Sequence, residues 1–110
     1  MKIRFSNKKL AKQLEDATAI KKSFGTMAKK VAMRLDEIHS APNLAVLKQL
    51  PQAACHELKG SRAGEWAVSI SANHRMIFVL DHDPLPLKDD RSIEEILVTD
   101  IIITGTEDYH

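Results

Sequence analysis

Cys55 is the only cysteine among the 110 residues, so no internal disulfide framework is possible and the chain fits a reducing compartment. No stretch approaches the roughly 20 consecutive apolar residues that a membrane span needs. The opening Met1-Lys2-Ile3-Arg4-Phe5 has no apolar signal region behind its charges. The expected location is therefore the cytoplasm, with no membrane partner. Internal repeats and low-complexity tracts are also missing, so nothing points to a repeat array. A length of 110 residues with 44% apolar content suffices for one core and leaves no room for a second domain, so the expected unit is a single domain over 1–110.

Charge is nearly balanced, with a formal net of +1, but it is unevenly placed. Residues 1–34 hold ten of the 16 lysines and arginines against two acids, Glu15 and Asp16, for a segment charge of +8. The remaining 76 residues carry six basic and 13 acidic groups, or −7. Such asymmetry fits a polyanionic partner for the basic half and a basic partner for the acidic half, and it equally fits lysine-rich, solvated helix faces.

After an extended Lys2–Phe5, Ser6 can cap a helix whose Leu10, Leu14 and Ala17 share a face, leaving Lys8, Lys9 and Lys12 to solvent. Gly25 breaks the chain. Met27, Val31, Leu35 and Ile38 restart the helical period through about Ser40, with Lys29, Lys30 and Arg34 off the apolar stripe. The result is a helical hairpin with a basic exterior. Pro42-Asn43 can open a short third helix carrying Leu44 and Leu47, which Pro51 ends.

From Trp66 the period becomes two: Trp66, Val68 and Ile70 point one way, Ala67, Ser69 and Ser71 the other. Met76–Leu80 is apolar on both sides and reads as a central strand. The short connection Ala72-Asn73-His74 predicts a hairpin, with Asn73 the residue best suited to a positive φ. Ile96–Thr104, ending at Gly105, reads as the last strand. Strand, helices and then strands predict an α+β fold: a short N-terminal strand and a helical hairpin packed on a twisted antiparallel sheet. Residues 81–95, with Pro84 and Pro86, form a surface loop. Its Asp81-His82-Asp83 has metal-capable groups, yet three adjacent residues rarely wrap one ion, and Asp before Pro favours a turn.

Two segments have the composition of a site, His56-Glu57-Leu58-Lys59-Gly60-Ser61-Arg62 and Asn73-His74-Arg75, and the sequence ends Glu107-Asp108-Tyr109-His110. Antiparallel pairing can bring His56, Lys59, Arg62, Arg75 and Tyr109-His110 to one sheet edge. Cys55 and His56, adjacent in an extended segment, point to opposite faces and do not form a nucleophile pair, so Cys55 reads as structural. Taken one at a time, Trp66 reads as core and Arg62 can answer one of the abundant acids.

Taken in order, His56-Glu-Leu-Lys-Gly-Ser-Arg62, Gly64-Glu-Trp66, Ala72-Asn-His-Arg75 and Glu107-Asp-Tyr-His110 resemble the RelE/ParE toxin superfamily and, more narrowly, its HigB branch of plasmid-maintenance killer toxins. The resemblance covers about residues 55–80 and 97–110 tightly, and the helical half by architecture only. It implies a small endoribonuclease that cuts messenger RNA in the ribosomal A site, uses the RNA's own 2′-hydroxyl and no metal or cofactor, and is neutralised by a HigA-like helix-turn-helix antitoxin. By the same resemblance, His56, Asp108, Tyr109 and His110 match active-site positions, and Arg75, Lys59 and, less closely, Arg62 match basic residues near the RNA phosphate. Lys8, Lys9, Lys12, Lys29 and Lys30 then have ribosomal RNA as a candidate partner. The ParE side of the superfamily implies an alternative, a non-enzymatic inhibitor of DNA gyrase. The 81–95 connection is longer than the tight hairpin of small members.

Overall fold

The computed structural model describes residues 1–108; Tyr109 and His110 lie outside the described residues. Strand β1 (Lys2–Phe5) leads into helices α1 (Lys8–Gln13), α2 (Ala17–Phe24), α3 (Ala28–Ser40) and α4 (Leu44–Lys48). Strands β2 (His56–Glu57), β3 (Glu65–Ser69), β4 (His74–Leu80) and β5 (Asp100–Asp108) follow. The strands form one sheet in the order β1-β5-β4-β3-β2. Helices packed on this five-stranded sheet give the expected α+β architecture. The sheet is antiparallel except at one edge, where β1 runs parallel to β5. Almost the whole chain separates those two strands, so no hairpin turn sets their relative direction.

Alternation sorts the sheet into two faces. Trp66, Val68, Met76, Phe78, Ile101 and Ile103 face the helices and share a core with Leu10, Leu14, Ile20, Val31, Ile38, Leu44 and Leu47. Trp66 and Phe78, cross-strand partners in β3 and β4, stack with ring centroids 6.5 Å apart. Among the described residues, the buried apolar cluster on the opposite face is small: Leu58, Ala67 and Ile77. Arg75 lies two residues from Ile77 along β4 and therefore projects from that open face. A β-bulge interrupts the β4–β5 ladder: Ile77 pairs with Gly105 and Phe78 with Ile103, leaving Thr104 as the extra residue. The Thr104 hydroxyl donates to the Ile77 carbonyl at 3.3 Å.

Three helix starts use the same device. The side-chain oxygens of Asn7, Asp16 and Asn43 accept from the backbone N–H groups of Leu10, Ala19 and Val46 at 2.8, 2.8 and 3.0 Å. Each satisfies a donor that the helix itself leaves unpaired. This capping corrects the single first helix expected from Ser6. Asn7 rather than Ser6 is the cap, and Asp16 takes up an extended backbone and restarts the chain as α2. The reading of α4 behind Asn43 holds.

Other expectations change. Among the described residues, positive φ angles outside glycine fall at Ala54 and Arg91, not at Asn73. The β3–β4 turn spans four residues, 70–73, and closes through Ile70 N–H and Ser71 N–H donating to the His74 carbonyl, which removes the demand for a left-handed residue. The last strand begins at Asp100; Glu95–Leu97 forms a 3₁₀ turn, with Ile96 and Leu97 exposed. Within 81–95 a short antiparallel bridge joins Leu87 to Ile93. His82 anchors the loop: its Nε2 accepts from the N–H groups of Thr99 and Asp100 at 3.1 and 3.3 Å.

Arg34 is the largest correction. It is 3% exposed, not part of the basic exterior. Its Nε donates to the Ser69 carbonyl at 2.6 Å, Nη2 to the Gln52 carbonyl at 2.7 Å, and Nη1 to Glu37 at 3.1 Å. Gln52 Nε2 donates to the other Glu37 oxygen at 3.0 Å, closing the network. One guanidinium thus ties α3 to the end of β3 and to the turn after α4.

Candidate functional site

The open sheet face brings together Arg62, Glu65, Arg75 and Glu107. Arg75 on β4 pairs in register with Glu107 on β5, and its Nε donates to Glu107 Oε1 at 2.7 Å, with Nη2 2.6 Å from the same oxygen. Arg62 reaches that oxygen from the 3₁₀ turn Gly60–Arg62, its Nη1 donating at 2.7 Å. The other side of the Arg62 fork holds Glu65, Nε and Nη2 donating to its two oxygens at 2.9 and 3.0 Å. This bidentate pair matches guanidinium to carboxylate geometry. Hydrogen bonding from Arg62 and Arg75 holds the Glu107 carboxyl below the usual carboxylate range, and the Arg62 bonds do the same for Glu65. Around them lies a depression of about 310 Å³ lined by Arg62, Glu65, Ile77, Thr104, Gly105, Thr106 and Glu107.

His56 stands on the same face, since β2 pairs it with Ala67 of β3. It is exposed, and its Nδ1 lies 2.9 Å from the Ala54 carbonyl. A carbonyl only accepts, so Nδ1 carries the proton, and in a neutral imidazole Nε2 is the nitrogen left to act as a base. Two strand spacings and two residues separate it from Arg75, roughly 10 Å across the sheet and 7 Å along it. Lys59, exposed, precedes the 3₁₀ turn that delivers Arg62.

Asp108 does not join this group. It pairs in register with His74, one residue out of step with Arg75 and Glu107, so both point to the other side of the sheet. His74 Nε2 and Asp108 Oδ2 lie 3.7 Å apart, an ion pair when the imidazole is protonated. Tyr109 and His110, expected at the active site, lie outside the described residues. The lysines are elsewhere again: Lys8, Lys9 and Lys12 on α1 and Lys29 and Lys30 on α3 are exposed on the helical layer, across the sheet from Arg75. They make no ion pair among the described residues.

Cys55 is buried, and burial pushes its thiol up to about 12, which suits a structural side chain and not a thiolate nucleophile. The arginine that can answer an acid does so: Arg62 holds Glu65 and Glu107. The i,i+3 spacing of Arg62 and Glu65 is a visible signal for the first pair. Nothing in the linear order marks Glu107 as the partner of Arg75, because that contact depends on the register of β4 against β5. Among the described residues, no group of three His, Cys, Asp or Glu side chains is placed to hold a metal ion, and no helix is long and apolar enough to cross a membrane.

The chain thus combines a mixed sheet, helices on one face and an arginine pair on the other. The YoeB/ParE toxin from Agrobacterium tumefaciens has a similar structure, with a TM-score of 0.53 over 100% of both chains at 15% sequence identity. At that identity the likeness is one of fold. No protein-family model and no curated protein matches the sequence.

Proposed function

We propose that the chain is the toxin of a type II toxin-antitoxin system, a HigB-like, ribosome-dependent messenger-RNA endoribonuclease acting in the cytoplasm. The observation that carries this reading is the convergence of Arg62 and Arg75 on the open face of a fold shared with a YoeB/ParE toxin. In this reading the RNA backbone crosses the open face between His56 and the two arginines. His56 Nε2 takes the proton of the 2′-hydroxyl as that oxygen attacks phosphorus. The bond from phosphorus to the 5′-oxygen breaks, and His110 gives the departing oxygen its proton, leaving a 2′,3′-cyclic phosphate and a 5′-hydroxyl. Each proton transfer contributes about 10²- to 10⁴-fold. Arg75, Arg62 and Lys59 stabilise charge that builds on the phosphate oxygens. Tyr109 stacks on an unpaired base, and Asp108 works beside His74 at the same end of the sheet.

Lys8, Lys9, Lys12, Lys29 and Lys30 dock the helical layer on ribosomal RNA through phosphate contacts. The acidic Asp89, Asp90, Glu94 and Glu95 face a basic, HigA-like helix-turn-helix antitoxin. A second reading, non-enzymatic inhibition of DNA gyrase, is favoured by one observation: Glu65 and Glu107 neutralise the two arginines.

The deciding experiment adds purified protein to ribosomes paused on a defined message, without added metal, and maps RNA ends for wild type and His110→Ala. Cuts inside the A-site codon that end in 2′,3′-cyclic phosphate and vanish in the variant are expected. Intact message at concentrations that still arrest growth rejects the nuclease and points to gyrase, which a DNA supercoiling assay then tests.

A further inference from the structure

Glu107 Oε1 is an oxygen shared by two guanidiniums, with Arg62 Nη1 and Arg75 Nε at 2.7 Å and Arg75 Nη2 at 2.6 Å. That is the environment a phosphate oxygen takes in an arginine-lined site. We propose that Glu107 is the resident anion of this site, occupying the place of the RNA phosphate and yielding it only when a phosphodiester takes over both guanidiniums. The inference rests on the endoribonuclease reading for its ligand class, a single-stranded RNA phosphodiester.

The two carboxylates have unequal roles. Glu65 grips the outer side of the Arg62 fork through two hydrogen bonds, while Glu107 takes only its inner arm. When Glu107 leaves, Arg62 stays anchored on Glu65 and the site keeps its shape. The Glu107 carboxylate and a phosphodiester each carry a single negative charge. The exchange is one anion for another. It needs no backbone movement, because the Glu107 side chain is 29% exposed beside an open depression and can swing outward by χ rotation.

A resident carboxylate also sets a threshold. Free RNA must compete with an anion whose local concentration is fixed by the covalent chain, whereas RNA held against the protein by other contacts competes on equal terms. Glu107 thereby discriminates against loose polyanions and favours a message already positioned, which gives dependence on the ribosome a physical origin.

The test uses a 2′-deoxy-substituted RNA trinucleotide, which binds but cannot be cleaved, titrated at low salt by calorimetry. Wild type, Glu107→Gln, Glu107→Ala and Glu65→Gln are compared, with thermal melts confirming folding. Removing a competing charge-assisted partner is expected to tighten binding roughly tenfold in both Glu107 variants and to steepen its salt dependence. Glu65→Gln should gain nothing, because Arg62 loses its anchor. Affinity in the Glu107 variants equal to or below wild type overturns the proposal, since a purely structural carboxylate would let the arginines splay. Ribosome cleavage assays on the same proteins separate the two claims. Cleavage without an affinity gain keeps the nuclease and rejects the resident anion, and an affinity gain without cleavage does the reverse.

Discussion

Replacing Arg34 should unfold this protein more readily than any change at its basic surface. The guanidinium donates to two backbone carbonyls, Ser69 and Gln52, and to Glu37, while its own side chain is 4% exposed and that of Glu37 16%. Arg34→Ala leaves two carbonyls without their donor and one largely buried carboxylate without its counter-charge. Breaking a buried pair from one side costs about 3–5 kcal/mol. A domain of this size has a total stability of roughly 5–15 kcal/mol, so the loss consumes a large fraction. At ~4 °C per kcal/mol the melting temperature should fall by about 12–20 °C. Arg34→Met, which keeps the length and apolar stem but donates nothing, should lose most of the same amount, and Arg34→Lys should recover only part, because the three N–H bonds of an ammonium leave one nitrogen and do not span acceptors spread around a planar guanidinium. Urea unfolding followed by circular dichroism measures all three. A loss below ~1 kcal/mol for Arg34→Ala, the scale of a surface ion pair, would refute the reasoning.

Two further predictions concern charge. Glu107 and Glu65 titrate below their ordinary 4.5 in the folded protein, so their ion pairs stabilise it fully above that value and are lost as pH falls through the lower folded values. Stability of wild type measured between pH 6 and pH 3 should therefore drop more steeply than that of Glu107→Gln; parallel curves contradict the assignment. Replacing Lys8, Lys9, Lys12, Lys29 and Lys30 with glutamate should weaken ribosome binding at least tenfold and flatten its salt dependence while leaving the melting temperature within a few degrees. Unchanged sedimentation with ribosomes rules out that face as the dock.

Much of the architecture was legible in the order of residues, because local rules act over a few positions. The period-two run from Trp66 and the apolar Met76–Leu80 segment place β3 and β4 and the side of the sheet that meets the helices. Asn43 before Leu44 places α4. The boundaries that went astray were contests between neighbours of similar strength: Asn7 outcompetes Ser6 as a cap, and Asp16 divides an apolar stripe that runs unbroken on a helical wheel.

Tertiary structure alone decided the rest. Arg34 looks like one more surface cation until α3 is laid against the end of β3, where two carbonyls need a donor. Arg62, Arg75 and Glu107 lie up to 45 positions apart, and only the register of β4 on β5 makes one carboxylate oxygen serve both arginines. Asp108, next in the chain to Glu107, is turned to the other side by the same register, because a strand sends neighbours to opposite faces. The sequence by itself determined which segments are helix and strand and which residue types could do acid–base and phosphate chemistry, since propensity and periodicity are local. Which of those residues meet is a property of strand pairing and packing, whose partners are distant along the chain.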